Sequence, residues 1–157
     1  MRISDFLKPQ AVVVQLDAKS SEDVIRTLGA RLLELGCVRQ DFVAATLERE
    51  AKLPTGLPLG GDINAAIPHV DIEYVNHSAL ALATLKDPVL FNNMVDCDEA
   101  LRVQLVIMLA LDQPKSQIEM LQRVCEVLQR PELIVQLMGA KTCGEILTLL
   151  SEAETEA

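Results

Sequence analysis

The chain has 157 residues, half of them hydrophobic and only 3% aromatic, with a formal net charge of −9. That is material for a single domain over residues 1–157 with a core built from Leu, Val, Ile, Ala and Met. The acidic balance excludes DNA and RNA as partners, because no excess of Lys and Arg is left to neutralise phosphates, and it suits a partner with a basic face.

The N-terminus, Met1 to Pro9, lacks the apolar run of a secretory signal. No stretch reaches the roughly 18 apolar residues needed to cross a bilayer, so no direct membrane insertion is expected. The four cysteines, 37, 97, 125 and 143, form no Cys-x-x-Cys pair and read as reduced thiols of a cytoplasmic protein.

Ala11 to Leu16 is short and β-branched, which predicts a strand. Ser20 and Ser21 before Glu22 and Asp23 start a helix, with Val24, Leu28, Leu32 and Leu35 at helical spacing and Gly36 at its C-terminal end. Asp41 caps a second helix to about Lys52, which Pro54 stops. Pro54 to Asp62 holds two prolines and three glycines and reads as a surface loop. Ile63 to Ile67 follows as a strand ending at Pro68-His69.

Ser78 to Leu85 alternates Leu with Ala and Thr, as a strand with one tightly packed face does. Lys86-Asp87-Pro88 reads as a turn, Val89 to Phe91 resumes the sheet, and Asn92 to Ala100 is polar loop. Val103 to Leu111 is nearly continuous apolar sequence, the mark of a central strand buried on both faces. Ser116-Gln117-Ile118-Glu119 is a capping-box pattern opening a helix with Ile118, Leu121, Val124 and Leu128 on one side. Pro131 opens another helix that ends at Gly139, and Thr142 to Glu145 repeats the capping pattern ahead of Ile146, Leu149 and Leu150. The acidic tail, 151–157, is expected to fray. Interleaved helices and apolar strands in this irregular order predict an α/β fold, a single mixed β-sheet flanked by helices on both faces.

Of the two histidines, His69 has the more telling context. It sits at a strand end after a Gly/Pro-rich loop, held yet reachable. A neutral imidazole whose one ring nitrogen donates to a carbonyl leaves the other as a free nucleophile. The bland alternative is a histidine that merely ends a strand. On extended chain His69, Asp71 and Glu73 would also face one way, with His77 four residues on, which is the donor set of a metal-dependent hydrolase; no recognised metal motif accompanies it. Arg49, at the end of the second helix, suits a phosphoryl group through paired hydrogen bonds, or else it serves the helix dipole. Thr55-Gly56 offers a hydroxyl and backbone N–H groups to phosphate oxygens, without the spacing of a P-loop. There is no Gly-x-Ser-x-Gly elbow, and the acidic neighbours of Cys97 argue against a reactive thiol. An apolar collar of Leu57, Leu59, Val70 and Ile72 is the expected shield around His69.

Together, Glu48-Arg49-Glu50, Leu53-Pro54-Thr55-Gly56 and Ala66-Ile67-Pro68-His69 resemble the fructose/mannitol-type enzyme IIA domains of the bacterial phosphotransferase system. Arg49-Glu50-Ala51-Lys52-Leu53-Pro54-Thr55-Gly56 and Leu128 to Ile134 look most like the galactitol-specific branch. The resemblance implies that His69 is phosphorylated by the phosphocarrier HPr and passes the group to a cysteine of a IIB component, and through it serves a membrane IIC component. It implies phosphate stabilisation by Arg49 and a supporting role for Thr55, with no cofactor or metal. Mannitol-type members carry a second histidine near the start of the helix after the long strand. Gln117 stands at that place here, as in the galactitol branch, which implies an amide in its stead. The regulatory, nitrogen-related enzyme IIA is the alternative within the family.

Overall fold

The computed structural model describes residues 1–156. Its elements are α1 (Ile3–Phe6), β1 (Leu7–Leu16), α2 (Ser21–Glu34), α3 (Phe42–Lys52), β2 (Gly56–Leu57), β3 (Asn64–Ala66), β4 (Ala79–Asn92), β5 (Ala100–Ala110), α4 (Pro114–Leu128), α5 (Pro131–Gly139) and α6 (Cys143–Glu156). The five strands form one sheet in the order β1-β4-β5-β3-β2. β1 runs parallel to β4 and β3 parallel to β5, while β4–β5 and β2–β3 are antiparallel, so the sheet is mixed as expected.

The alternation in β4 decides which layer lies on which face. Ala79, Ala81 and Ala83 face α2 and α3, and their small side chains join Val24, Ile25, Leu28, Leu32 and Phe42 in one core. Leu80 and Leu82 face the other way and pack with Leu105, Ile107, Met120, Val124, Leu137, Ile146 and Leu150 from β5, α4, α5 and α6. A fully buried Leu contributes about 1.5–3 kcal/mol. The two-residue period thus builds two separate cores from one strand.

Several expectations shift in detail. β1 begins at Leu7 rather than Ala11, after the unforeseen helical turn α1. The loop 54–62 contains β2, because Gly56 and Leu57 pair with Ala66 and Ala65. Lys86-Asp87-Pro88 is no turn: β4 runs through it as a bulge, with the register jumping between the Thr84–Leu105 and Val89–Val103 pairs. Helix α4 starts at Pro114, two residues before Ser116, because Pro supplies the first helical position with a preset φ. Asp41 occupies the N-cap position of α3 without a capping side-chain bond; its carboxylate lies instead 3.6 Å from Arg39. Ser20 and Thr142 do cap, accepting from the Asp23 and Glu145 amides.

The tail 151–156 is helical rather than frayed, as the end of α6. Glu154 accepts from the Ile3 and Ser4 amides at 2.6 and 3.0 Å, and Arg2 donates to the Ser151 carbonyl at 2.8 Å. The carboxylate thereby satisfies two orphan N–H groups of α1, and Ala153 is buried in the core. Ala157 lies outside the described residues.

Candidate active site

His69 follows β3 directly, and the parallel pairing of β3 with β5 carries on past Ala66. The Leu109 amide donates to the Pro68 carbonyl at 3.0 Å, and His69 bridges to Leu109. On the other side the Ile67 amide donates to the Thr55 carbonyl at 3.2 Å, extending the β2–β3 pair. The backbone beside His69 is therefore fixed from both flanks.

His69 as a whole is 8% exposed. Nδ1 lies 2.8 Å from the Ile67 carbonyl and Nε2 lies 3.3 Å from Nη2 of Arg49. A carbonyl only accepts and a guanidinium only donates, so Nδ1 carries the proton and Nε2 holds the lone pair. Burial pushes the His69 pKa below its ordinary 6.5; the Ile67 carbonyl opposes this, the Arg49 cation adds to it, and Asp71 opposes. The arrangement is a neutral imidazole with one nucleophilic nitrogen near pH 7.

His69 borders a cleft of about 610 Å³ whose lining includes Arg49, Thr55, Leu53, Val95, Leu121 and Cys125. Arg49 reaches it from the last turn of α3, and its Nε is buried with no hydrogen-bond partner among the described residues. An unpartnered guanidinium N–H inside a site is a donor waiting for an acceptor.

Thr55 also lines the cleft, yet its polar groups are taken. Its amide and hydroxyl donate to the two carboxylate oxygens of Glu50 at 2.7 and 2.6 Å. Burial raises the Glu50 pKa, against the Thr55 side-chain and backbone hydrogen bonds and the nearby Arg49 charge. Gln117 stands one step back and is not part of the lining. Its Nε2 donates to the Val70 carbonyl at 3.2 Å, so it braces the residue after His69.

Two expectations fail here. Leu57, Leu59, Val70 and Ile72 do not surround the cleft: Leu57 and Leu59 pack against one core and Val70 belongs to the other. The apolar rim is instead Leu53, Pro54, Met94, Val95 and Leu121, drawn from the end of α3, the β4–β5 hairpin and α4. The alternation that would line up His69, Asp71 and Glu73 does not exist either, because Ile72–Tyr74 is a 3₁₀ turn. Among the described residues no group of three His, Cys, Asp or Glu side chains gathers at a common point. His77 is exposed, with its amide on the Cys37 carbonyl.

The grip of Glu50 on Thr55 and the contributions of Met94, Val95, Leu121 and Cys125 escaped the sequence reading. The hairpin and α4 reach the cleft only through the strand order, which no local pattern encodes.

A family model described as the phosphoenolpyruvate-dependent sugar phosphotransferase system, EIIA 2, matches residues 5–153. The chain belongs to this family. As such it is a phosphotransferase component, one of the family's phosphoryl carriers. It is similar to the galactitol-specific EIIA component of Escherichia coli strain K12, 31% identical over 116 residues that cover 74% of this chain and 76% of that protein. A putative phosphotransferase IIA from Streptococcus mutans shares the fold, with a TM-score of 0.82, 23% identity and coverage of 99% of this chain and 96% of its own. The mannitol enzyme IIA of Escherichia coli, solved in complex with phosphorylated enzyme IIB, shares it too, with a TM-score of 0.76, 24% identity and coverage of 93% and 97%. Among the described residues no helix is long and apolar enough to cross a membrane.

Proposed function

We propose that His69 is the phosphoryl acceptor of this carrier, taking PO₃ on Nε2 from phosphorylated HPr and handing it to a cysteine thiolate of a IIB component. The observation that supports this most directly is the pairing of a Nδ1-protonated ring with the Arg49 guanidinium beside its free nitrogen.

The transfer is a balanced exchange. The Nε2–P bond forms as the donor's bond to phosphorus breaks, and in the second step an S–P bond forms as Nε2–P breaks. Little covalent work falls to the protein in such a reaction; placement and charge stabilisation carry it. The Ile67 carbonyl holds the Nδ1 proton and so aims the Nε2 lone pair out of the backbone. Arg49 then exchanges its contact with Nε2 for contacts with the equatorial oxygens, and its unpartnered Nε offers a further donor. Thr55 shapes the wall of the cleft, and Gln117 steadies the chain after His69 through Val70. The apolar rim excludes water from a labile phosphoramidate and gives a docking protein a surface to cover.

The sugar served is a sugar alcohol, galactitol first, with a membrane IIC component downstream and the carrier itself in the cytoplasm. The 31% identity to a galactitol-specific component supports this, as does Gln117 where mannitol-type members have histidine. Incubation with enzyme I, HPr and labelled phosphoenolpyruvate is expected to leave acid-labile label on the wild-type chain and none on His69→Gln. Label retained by that variant would move the acceptor elsewhere. Release of the label to a galactitol IIB, and not to others, is the expected sign of the transport role.

A further inference from the structure

We infer that Glu50 is a positioning residue for the phosphoryl acceptor: by gripping Thr55 through both carboxylate oxygens it fixes the orientation and the ring tautomer of His69. The inference rests on the reading of His69 as the carrier.

A path of hydrogen bonds through Thr55 and Ile67 links Glu50 to His69. The Thr55 amide and hydroxyl donate to Oε2 and Oε1 of Glu50 at 2.7 and 2.6 Å. The Thr55 carbonyl accepts from the Ile67 amide at 3.2 Å, and the Ile67 carbonyl accepts from Nδ1 of His69 at 2.8 Å. Each link ties one peptide plane to the next, so the last carbonyl is aimed by the first carboxylate. Thr55 is buried, and Glu50 is the only side chain bonded to its hydroxyl among the described residues.

The position of Glu50 in α3 makes this division of labour possible. Arg49 and Glu50 are neighbours in the last two turns of the helix and leave it about 100° apart. One supplies the cation that faces Nε2, and the other reaches the loop whose backbone decides what Nδ1 meets. The chemical stake is the tautomer. A histidine free of such a carbonyl favours the proton on Nε2, and that tautomer has no lone pair where the phosphoryl group must arrive. Loss of aim at Ile67 therefore costs nucleophilicity and not merely rigidity.

Two variants separate reach from charge. Glu50→Gln keeps the reach: its amide oxygen accepts the Thr55 N–H and its amide nitrogen donates to the Thr55 hydroxyl. Glu50→Asp keeps the charge and is one methylene too short to hold both groups. The ring nitrogens of His69 are read in ¹⁵N-histidine-labelled full-length chain above the ring pKa, with exposed His77 as reference, and phosphorylation by phosphorylated HPr is timed alongside. Glu50→Gln is expected to keep the Nδ1–H signature and a rate within about 3-fold of wild type, whereas Glu50→Asp mixes the tautomers and slows transfer on the order of 10- to 100-fold. Retention of a pure Nδ1–H signature in Glu50→Asp would overturn the inference. So would Glu50→Gln slowing as far as Glu50→Asp with its tautomer intact, since that makes charge the active property. Should Glu50→Asp not fold, Thr55→Val, which severs only the hydroxyl link, decides by the same spectra. A wild-type chain that takes no phosphoryl group would sink the carrier reading alone, because the ring spectra judge Glu50 without HPr.

Discussion

Nη2 of Arg49 stands 3.3 Å from Nε2 of His69, so the side chain best suited to grip a phosphoryl group already donates to the atom proposed to receive it. A single guanidinium can thus serve both states of the carrier. Before transfer it holds the ring, and on the proposed reading its fork would span two oxygens of the new group after transfer.

Arg49→Lys follows from that geometry. A lysine keeps the charge but loses the planar fork and the buried Nε donor. Loss of an aligned donor at a developing charge costs on the order of 10²-fold in rate. The single-turnover rate of labelling should fall by about that factor, with little change in thermal stability. An unchanged rate would remove Arg49 from the phosphate site.

The lowered pKa of His69 has a sign in both stability and rate. Between the folded value and 6.5 the unfolded chain binds more protons at this residue than the folded one. Its contribution to stability is therefore fully present above 6.5 and is lost as pH falls through that window. His69→Gln should flatten this part of the urea-derived stability profile. His69, the proposed acceptor, also stays neutral to lower pH than an ordinary histidine, so the labelling rate should decline at a pH below 6.5. A rate that halves near 6.5 would contradict the burial argument.

Val95 is 88% exposed at the tip of the β4–β5 hairpin and lies on the rim of the cleft. Val95→Asp adds a charge where an apolar partner surface would close. Surface changes of this kind leave stability within about 0.5 kcal/mol. The apparent KM for phosphorylated HPr is expected to rise while the melting temperature stays put. An unaltered KM would show that the donor approaches from another side.

Gly56 is where the Thr55 loop touches that hairpin. A Cβ built there would lie 2.5 Å from the Asn92 carbonyl oxygen, and the Gly56 carbonyl accepts from the Met94 amide at 2.8 Å. Because the obstacle is backbone, it yields only if a strand end moves. Gly56→Ala should cost about 1–3 kcal/mol by denaturant titration and also slow labelling, since Thr55 is next in the chain.

The sequence disclosed the layers well and the joins poorly. The Leu/Ala alternation of Ala79–Leu85 and the apolar run Val103–Leu111 announced the two central strands, because period and burial are local properties. Arg49, Thr55 and His69 were legible as a group only through resemblance, since they lie on separate elements. β2 was hidden because two residues with a glycine carry no strand signal, and the Lys86–Pro88 bulge was hidden because bulges and turns use the same residues. The expected collar failed for a related reason. Leu57, Leu59, Val70 and Ile72 are near His69 in the chain, but the apolar side chains around its cleft come from the end of α3, the hairpin and α4, which the tertiary fold brings close.

The cleft draws Arg49 from a helix docked on one side of the sheet and Leu121 and Cys125 from a helix docked on the other, with His69 at the seam. A half-folded chain with either side undocked has no complete pocket. On the proposed reading, competence to accept a phosphoryl group should consequently lag behind secondary structure during refolding.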